Sequence, residues 1–136
     1  MPESIAYEPK ASDILFAIVA MMGEEAIKEG KDRVVFRAHN YEWQEIIRHF
    51  QLKYPLLNCF VFSDRGPELF SPVLDGALLV NLQRFDAGDW EVFVVKQQNL
   101  DYFNKEIKPR LTQDELRQAA QIAEEFRRII PQVPKR

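Results

Sequence analysis

The chain has 136 residues, a length that suits one domain, and 46% of them are hydrophobic, enough for a real core. Five Gly and eight Pro argue against a disordered chain, no apolar run nears the roughly 20 residues of a membrane span, and the single Cys59 excludes an internal disulfide or a multi-cysteine zinc site. The net charge of −3 is unevenly spread: residues 28–54 and 105–136 are mildly basic and the other two stretches acidic, which permits a local anion-binding face in a protein less basic than committed nucleic-acid binders.

Residues 1–10 read as an extended leader, with Pro2 and Pro9 disfavouring helix in the residues before them. They contain no basic region or apolar signal core, so a cytoplasmic protein is expected. Ser12 is the expected N-cap of a first helix, Ser12–Glu29, with Asp13 near its positive end and Gly30 as its stop. Ile14, Leu15, Ile18, Val19, Met22, Ala26 and Ile27 recur at helical spacing and form its expected buried face. Asp32–Ala38 reads as a short strand with Val34 and Phe36 on one side and Arg33, Val35 and Arg37 on the other. Asn40 caps a second helix, Tyr41–Lys53, with Trp43, Ile46, Ile47 and Phe50 inward. The apolar run Leu56–Phe62 reads as a buried strand, and Ser63–Pro67 as a turn.

The stretch from Leu69 to Val95 reads as the organising part of the chain. Ser71 followed by Pro72 opens a third helix to Arg84, with Val73, Leu74, Ala77, Leu78 and Leu82 inward and Gly76 hinting at a close neighbour. Asp86-Ala87-Gly88-Asp89 forms a tight turn into a strand in which Trp90, Val92 and Val94 alternate with Glu91, Phe93 and Val95. Lys96–Asn99 reads as a loop, and Asn99 or Asp101 caps a short helix through Ile107, stopped by Pro109. Thr112-Gln113-Asp114-Glu115 is a capping box that opens a helix to about Ile130, with Leu116, Ala119, Ala120, Ala123, Phe126 and Ile130 on its apolar side. The whole chain, 1–136, reads as one domain, with a core at 11–96 and C-terminal helices at 99–130.

The five glycines are isolated, so no phosphate-binding loop is present, and no serine sits in a nucleophile elbow. His39 and His49 stand ten apart with no metal-ligand spacing to acids, and the adjacent pairs Glu24-Glu25 and Glu124-Glu125 point about 100° apart on a helix. No catalytic residue, metal or cofactor is expected, and the chain reads as non-enzymatic.

The order helix, strand, helix, then helix leading into a hairpin resembles the winged helix-turn-helix superfamily, over roughly residues 11–96 with the wing around Asp86–Asp89. The resemblance implies an α+β, winged-helix-like fold with a small antiparallel sheet and a long C-terminal helix. It also implies a DNA-associated regulatory protein whose third helix enters the major groove of double-stranded DNA. Asn81, Gln83 and Arg84 are the residues of that helix able to address base edges. Arg33, Arg37, Arg48 and Lys53 form a second cationic group around the first strand and second helix, suited to phosphate. About seventeen residues, Tyr54 to Phe70, separate the second and third helices, and the wing tip carries Asp86 and Asp89. The alternative function is a protein–protein interaction module that keeps the scaffold without reading DNA. The small-residue side of the last helix (Leu116, Ala119, Ala120, Ala123, Phe126, Ile130) is the expected interface of a homodimer, or else packs within the chain.

Overall fold

The computed structural model describes residues 9–62, 70–85 and 92–130. The turns expected at 86–89, as the wing tip, and at 63–67 lie outside these residues. Among the described residues, five α-helices and two strands follow the order α1 (Pro9–Lys28), β1 (Arg33–Arg37), α2 (Asn40–Phe50), α3 (Pro72–Arg84), β2 (Val92–Lys96), α4 (Gln97–Tyr102) and α5 (Gln113–Ile129). The described chain is mostly helical with a small antiparallel sheet, in agreement with an α+β class. A 3-10 turn, Pro55–Cys59, follows α2, and a π segment, Phe103–Ile107, and a 3-10 turn, Lys108–Arg110, join α4 to α5.

The molecule is organised around α1 rather than around residues 69–95. Every residue from Ala11 to Ala20 is buried, including Phe16, Ala17 and Ala20, which fall outside the stripe expected from sequence. A helix covered on all sides needs no polar face. Ser12, expected to cap α1, lies inside it, and the helix already includes Pro9. Gly30, at φ +99°, accepts the left-handed conformation that stops α1, and its N–H donates to Ile27 C=O.

Around α1 pack α3, α5, α4 and both strands. The strands pair antiparallel, with Val34 opposite Val95 and Phe36 opposite Phe93, so these four side chains form the inner face. Arg33, opposite Lys96, and Val35, opposite Val94, form the outer one. At Gly23 the sheet meets α1 closely: a Cβ there would lie 2.8 Å from Val95 Cβ. Helix α5 runs in the same direction as α1, tied by Lys10–Glu115 at one end and Arg127–Glu25 at the other. Rings link the layers in one continuous row, Tyr102–Phe16–Phe85–Phe93–Trp43–Phe126–Phe50–Tyr54, with neighbouring centroids 4.4–6.3 Å apart.

Local signals explain most helix starts. Ser71 Oγ accepts from Leu74 N–H, and the buried Gln44 amide both accepts from Ser71 N–H at 2.8 Å and donates to Ser71 C=O at 3.2 Å, fixing the start of α3 on α2. The expected capping box is formed, with Glu115 N–H donating to Thr112 Oγ1 and Thr112 N–H to Glu115 Oε1. At α2 the cap position is His39, whose N–H is taken by Glu42, while Asn40 is the first helical residue and donates to Asp75. Lys96–Asn99 is not a loop: α4 begins at Gln97, and buried Asn99 accepts from Lys96 N–H while donating to Arg84 C=O.

The expected strand Leu56–Phe62 is instead the 3-10 turn and an irregular exit. Side chains satisfy its backbone where a ladder would have: Gln51 donates to Leu57 and Phe60 C=O, and Gln118 accepts from Leu56 N–H.

Candidate functional site

Helix α3 is the one expected to address bases. Its inward stripe is Leu74, Ala77, Leu78 and Asn81. Asn81 is 0% exposed, and its Nδ2 donates to Ser12 C=O at 3.1 Å and Ala77 C=O at 2.9 Å. Arg84 Nη1 donates to Asp13 Oδ1 at 3.2 Å, and its guanidinium lies over the Phe16 ring. Of the three residues expected to address bases, Asn81 and Arg84 are therefore turned into the protein. Helical spacing carries the signal: Asn81 follows Ala77 by four and Leu78 by three, on the core side. The Gln83 side chain lies outside what is described.

What faces outward on α3 has a different chemistry. Pro72 and Leu79 are exposed, and Asp75 stands one turn before Leu79, its carboxylate accepting from Asn40 Nδ2 at 2.6 Å. That bond brings the start of α2 alongside, where Tyr41, 65% exposed, stacks on His39. Phe70 and Leu79 are each 42% exposed. The surface is thus apolar with acidic character.

The Asp13 carboxylate, 7% exposed, is shared between Arg84 and Arg110, whose Nη1 reaches Oδ2 at 3.0 Å. The contact with Asp13 raises the Arg110 pKa, chiefly through the hydrogen bond. This clasp joins α1, the end of α3 and the turn before α5. Asp13 and Arg110 stand 97 apart in sequence, so no local pattern announces the pair.

The second cationic group divides. Arg33 is half-buried on the outer sheet face and Arg37 is exposed, with Lys96, overlooked in the sequence, directly across from Arg33. Arg48 is exposed on α2. Lys53 is committed to Glu125, at 2.7 Å. No group of three or more His, Cys, Asp or Glu side chains could hold a metal ion among the described residues. Among them, too, no helix is long and apolar enough to cross a membrane.

No protein family, curated protein or solved structure matches this chain.

The small-residue side of α5 is core of the same chain. Ala119, Ala123, Phe126 and Ile130 are buried, with Ile122, and Leu116 is half-buried against them. Of the two uses expected for this side, the structure has the packing within the chain, with α1 as the partner helix. Ala120 alone of that set faces solvent. It belongs to an open groove of about 800 Å³ between the outer side of α5 and Lys53–Pro55.

At one edge of the groove Glu125 Oε2 accepts from both Lys53 Nζ and Tyr54 Oη. The hydrogen bond from Lys53, then that from Tyr54, holds the Glu125 pKa below the ordinary glutamate value, and the Lys53 pKa is raised in turn. Burial, then the bond to Glu125, raises the Tyr54 pKa. Because the folded pKa of Glu125 is depressed, its contribution is complete above the unfolded value of roughly 4.3 and is lost as pH falls through the folded one. Glu125→Gln will therefore lower the thermal midpoint at pH 7 and leave it unchanged well below the glutamate range. A gap that persists undiminished in acid would remove this carboxylate as its source.

Proposed function

We propose that this chain is a non-enzymatic protein-interaction module on a winged-helix-like scaffold, in which the outer side of α3 receives a protein segment instead of DNA. The observation that carries the reading is the chemistry of that side: Leu79, Phe70 and Tyr41 offer apolar area beside Asp75, while Asn81 and Arg84 are occupied internally. Exposed aromatic and aliphatic side chains gain from burial against a partner, and a carboxylate beside them favours a basic one. The partner is a segment combining apolar anchors with Lys or Arg.

Panning a random peptide library on the folded chain tests this. Enriched peptides will be apolar and basic, and Leu79→Lys will weaken their binding about tenfold, as loss of one central anchor does. No enrichment, or enriched peptides indifferent to Leu79→Lys, would sink the proposal.

A second reading, a DNA-associated regulatory protein, is favoured by Arg33 and Arg37 with Lys96 on the outer face of the sheet and by exposed Arg48. Contacts from these groups would go to phosphate and carry no sequence information. Titration into random-sequence duplex DNA separates the two: phosphate binding loses affinity with salt, with a slope of roughly −0.9 per neutralised phosphate, and weakens in Arg33→Ala, Arg37→Ala and Arg48→Ala. Leu79→Lys would not weaken it.

A further inference from the structure

The outer side of α5 carries a charge order that is complementary to itself when reversed. Asp114, Arg117, Gln121, Glu125 and Arg128 fall within an arc of about 80° at 3.6 residues per turn, opposite the buried Ala119, Ala123, Phe126 and Ile130. Read from either end around Gln121, the order pairs Asp114 with Arg128 and Arg117 with Glu125. We propose that a second copy of this chain docks here, its α5 lying antiparallel in the groove with the two-fold axis at Gln121.

A two-fold axis requires each contact to occur twice, and this order meets the requirement with opposite charges at both outer positions. Parallel docking would set Asp114 on Asp114 and Arg117 on Arg117, so the pattern also selects the direction. The exposed Ala120 beside Gln121 lets the helices approach, and two Gln121 amides can donate to and accept from each other. Within one copy Asp114 pairs with Arg117 and Arg128 with Glu124. Docking joins each Arg117–Asp114 pair to the other copy's Arg128–Glu124 pair in one network of alternating charge. Lys53 and Tyr54 both use Glu125 Oε2, which leaves Oε1 without a hydrogen bond among the described residues and able to take the partner's Arg117. The interface is polar, so the association is weak and falls with salt.

Sedimentation velocity on the full chain, over about a hundredfold range of concentration, will show a monomer–dimer equilibrium. Asp114→Lys and Arg128→Glu will each raise the dissociation constant about tenfold, since each replaces two attractive contacts with two repulsive ones. An equimolar mixture of these two variants will dimerise like wild type. In the mixed dimer the introduced lysine meets the introduced glutamate, and the native Asp114 of one copy meets the native Arg128 of the other. Misfolding would give no such recovery. Gln121→Lys, at an exposed position remote from both helix ends, sets like charges across the axis and will weaken the dimer too. A chain that is monomeric at every concentration, single variants that dimerise like wild type, or a mixture without recovery would each overturn the proposal.

Discussion

Trp43→Ala will destabilise the protein by about 3–5 kcal/mol, the loss typical of deleting a large buried ring. Trp43 is among the largest fully buried side chains, and it is the ring through which the sheet and α5 meet, edge to Phe93 and to Phe126. Against a total of roughly 5–15 kcal/mol for an ordinary domain, that loss leaves little margin. Trp43→Phe will cost far less than alanine. Its ring still fills most of the space, and the indole Nε1, which is buried without a hydrogen-bond partner among the described residues, is removed. Urea unfolding of the three proteins measures both effects. A cost below about 1 kcal/mol for alanine would mean the ring row is not a packed core.

The second large effect is expected at Asp13. Asp13→Ala leaves the Arg84 guanidinium, 21% exposed, without its carboxylate at the junction of α1 and α3. Removing one member of a largely buried ion pair costs about 2–4 kcal/mol, because the remaining charge keeps its desolvation penalty. Arg84→Ala will be less damaging than Asp13→Ala, since Arg110 still holds the carboxylate. Arg110→Ala will be milder again, its side chain being half exposed. A double-mutant cycle between positions 13 and 84 gives the coupling directly. Strict additivity of the two substitutions would show that the clasp contributes nothing of its own.

What the sequence discloses depends on the reach of each signal. The capping box at Thr112, the Ser71-Pro72 start and the glycine stop at Gly30 each act over a few residues, and all three are formed. The alternation in Arg33–Arg37 likewise identifies the inner face of the sheet. Leu56–Phe62 misleads because its apolar run has no partner strand among the described residues. Gln51 and Gln118 satisfy its backbone, and Gln118 lies 62 residues from Leu56. Helix α1 misleads differently: its apolar spacing shows one face, while from Ala11 to Ala20 every side is buried. Of the proposed sites, the α5 charge order is legible in the sequence, and so is the apolar side opposite it, while the groove beside Lys53–Pro55 comes from residues too far away in sequence to be read. Asn81 and Arg84 have side chains suited to contacting bases, while burial against α1 decides their role.

Covering residues 11–20 of α1 from all sides also has a consequence for synthesis. The most apolar helix of the described chain leaves the ribosome ahead of the others, and one of its principal coverings, α5, follows all of them. Until residues 113–129 emerge, the side of α1 that meets α5 stays open, and the ion pairs Lys10–Glu115 and Glu25–Arg127 cannot close. A fold completed by so late a helix gains little from growing piecemeal, and contacts so distant in sequence slow the search for the native state. Incomplete chains of this protein will carry an apolar surface of the kind that chaperones hold, and truncation before α5 will yield aggregation rather than a smaller folded unit.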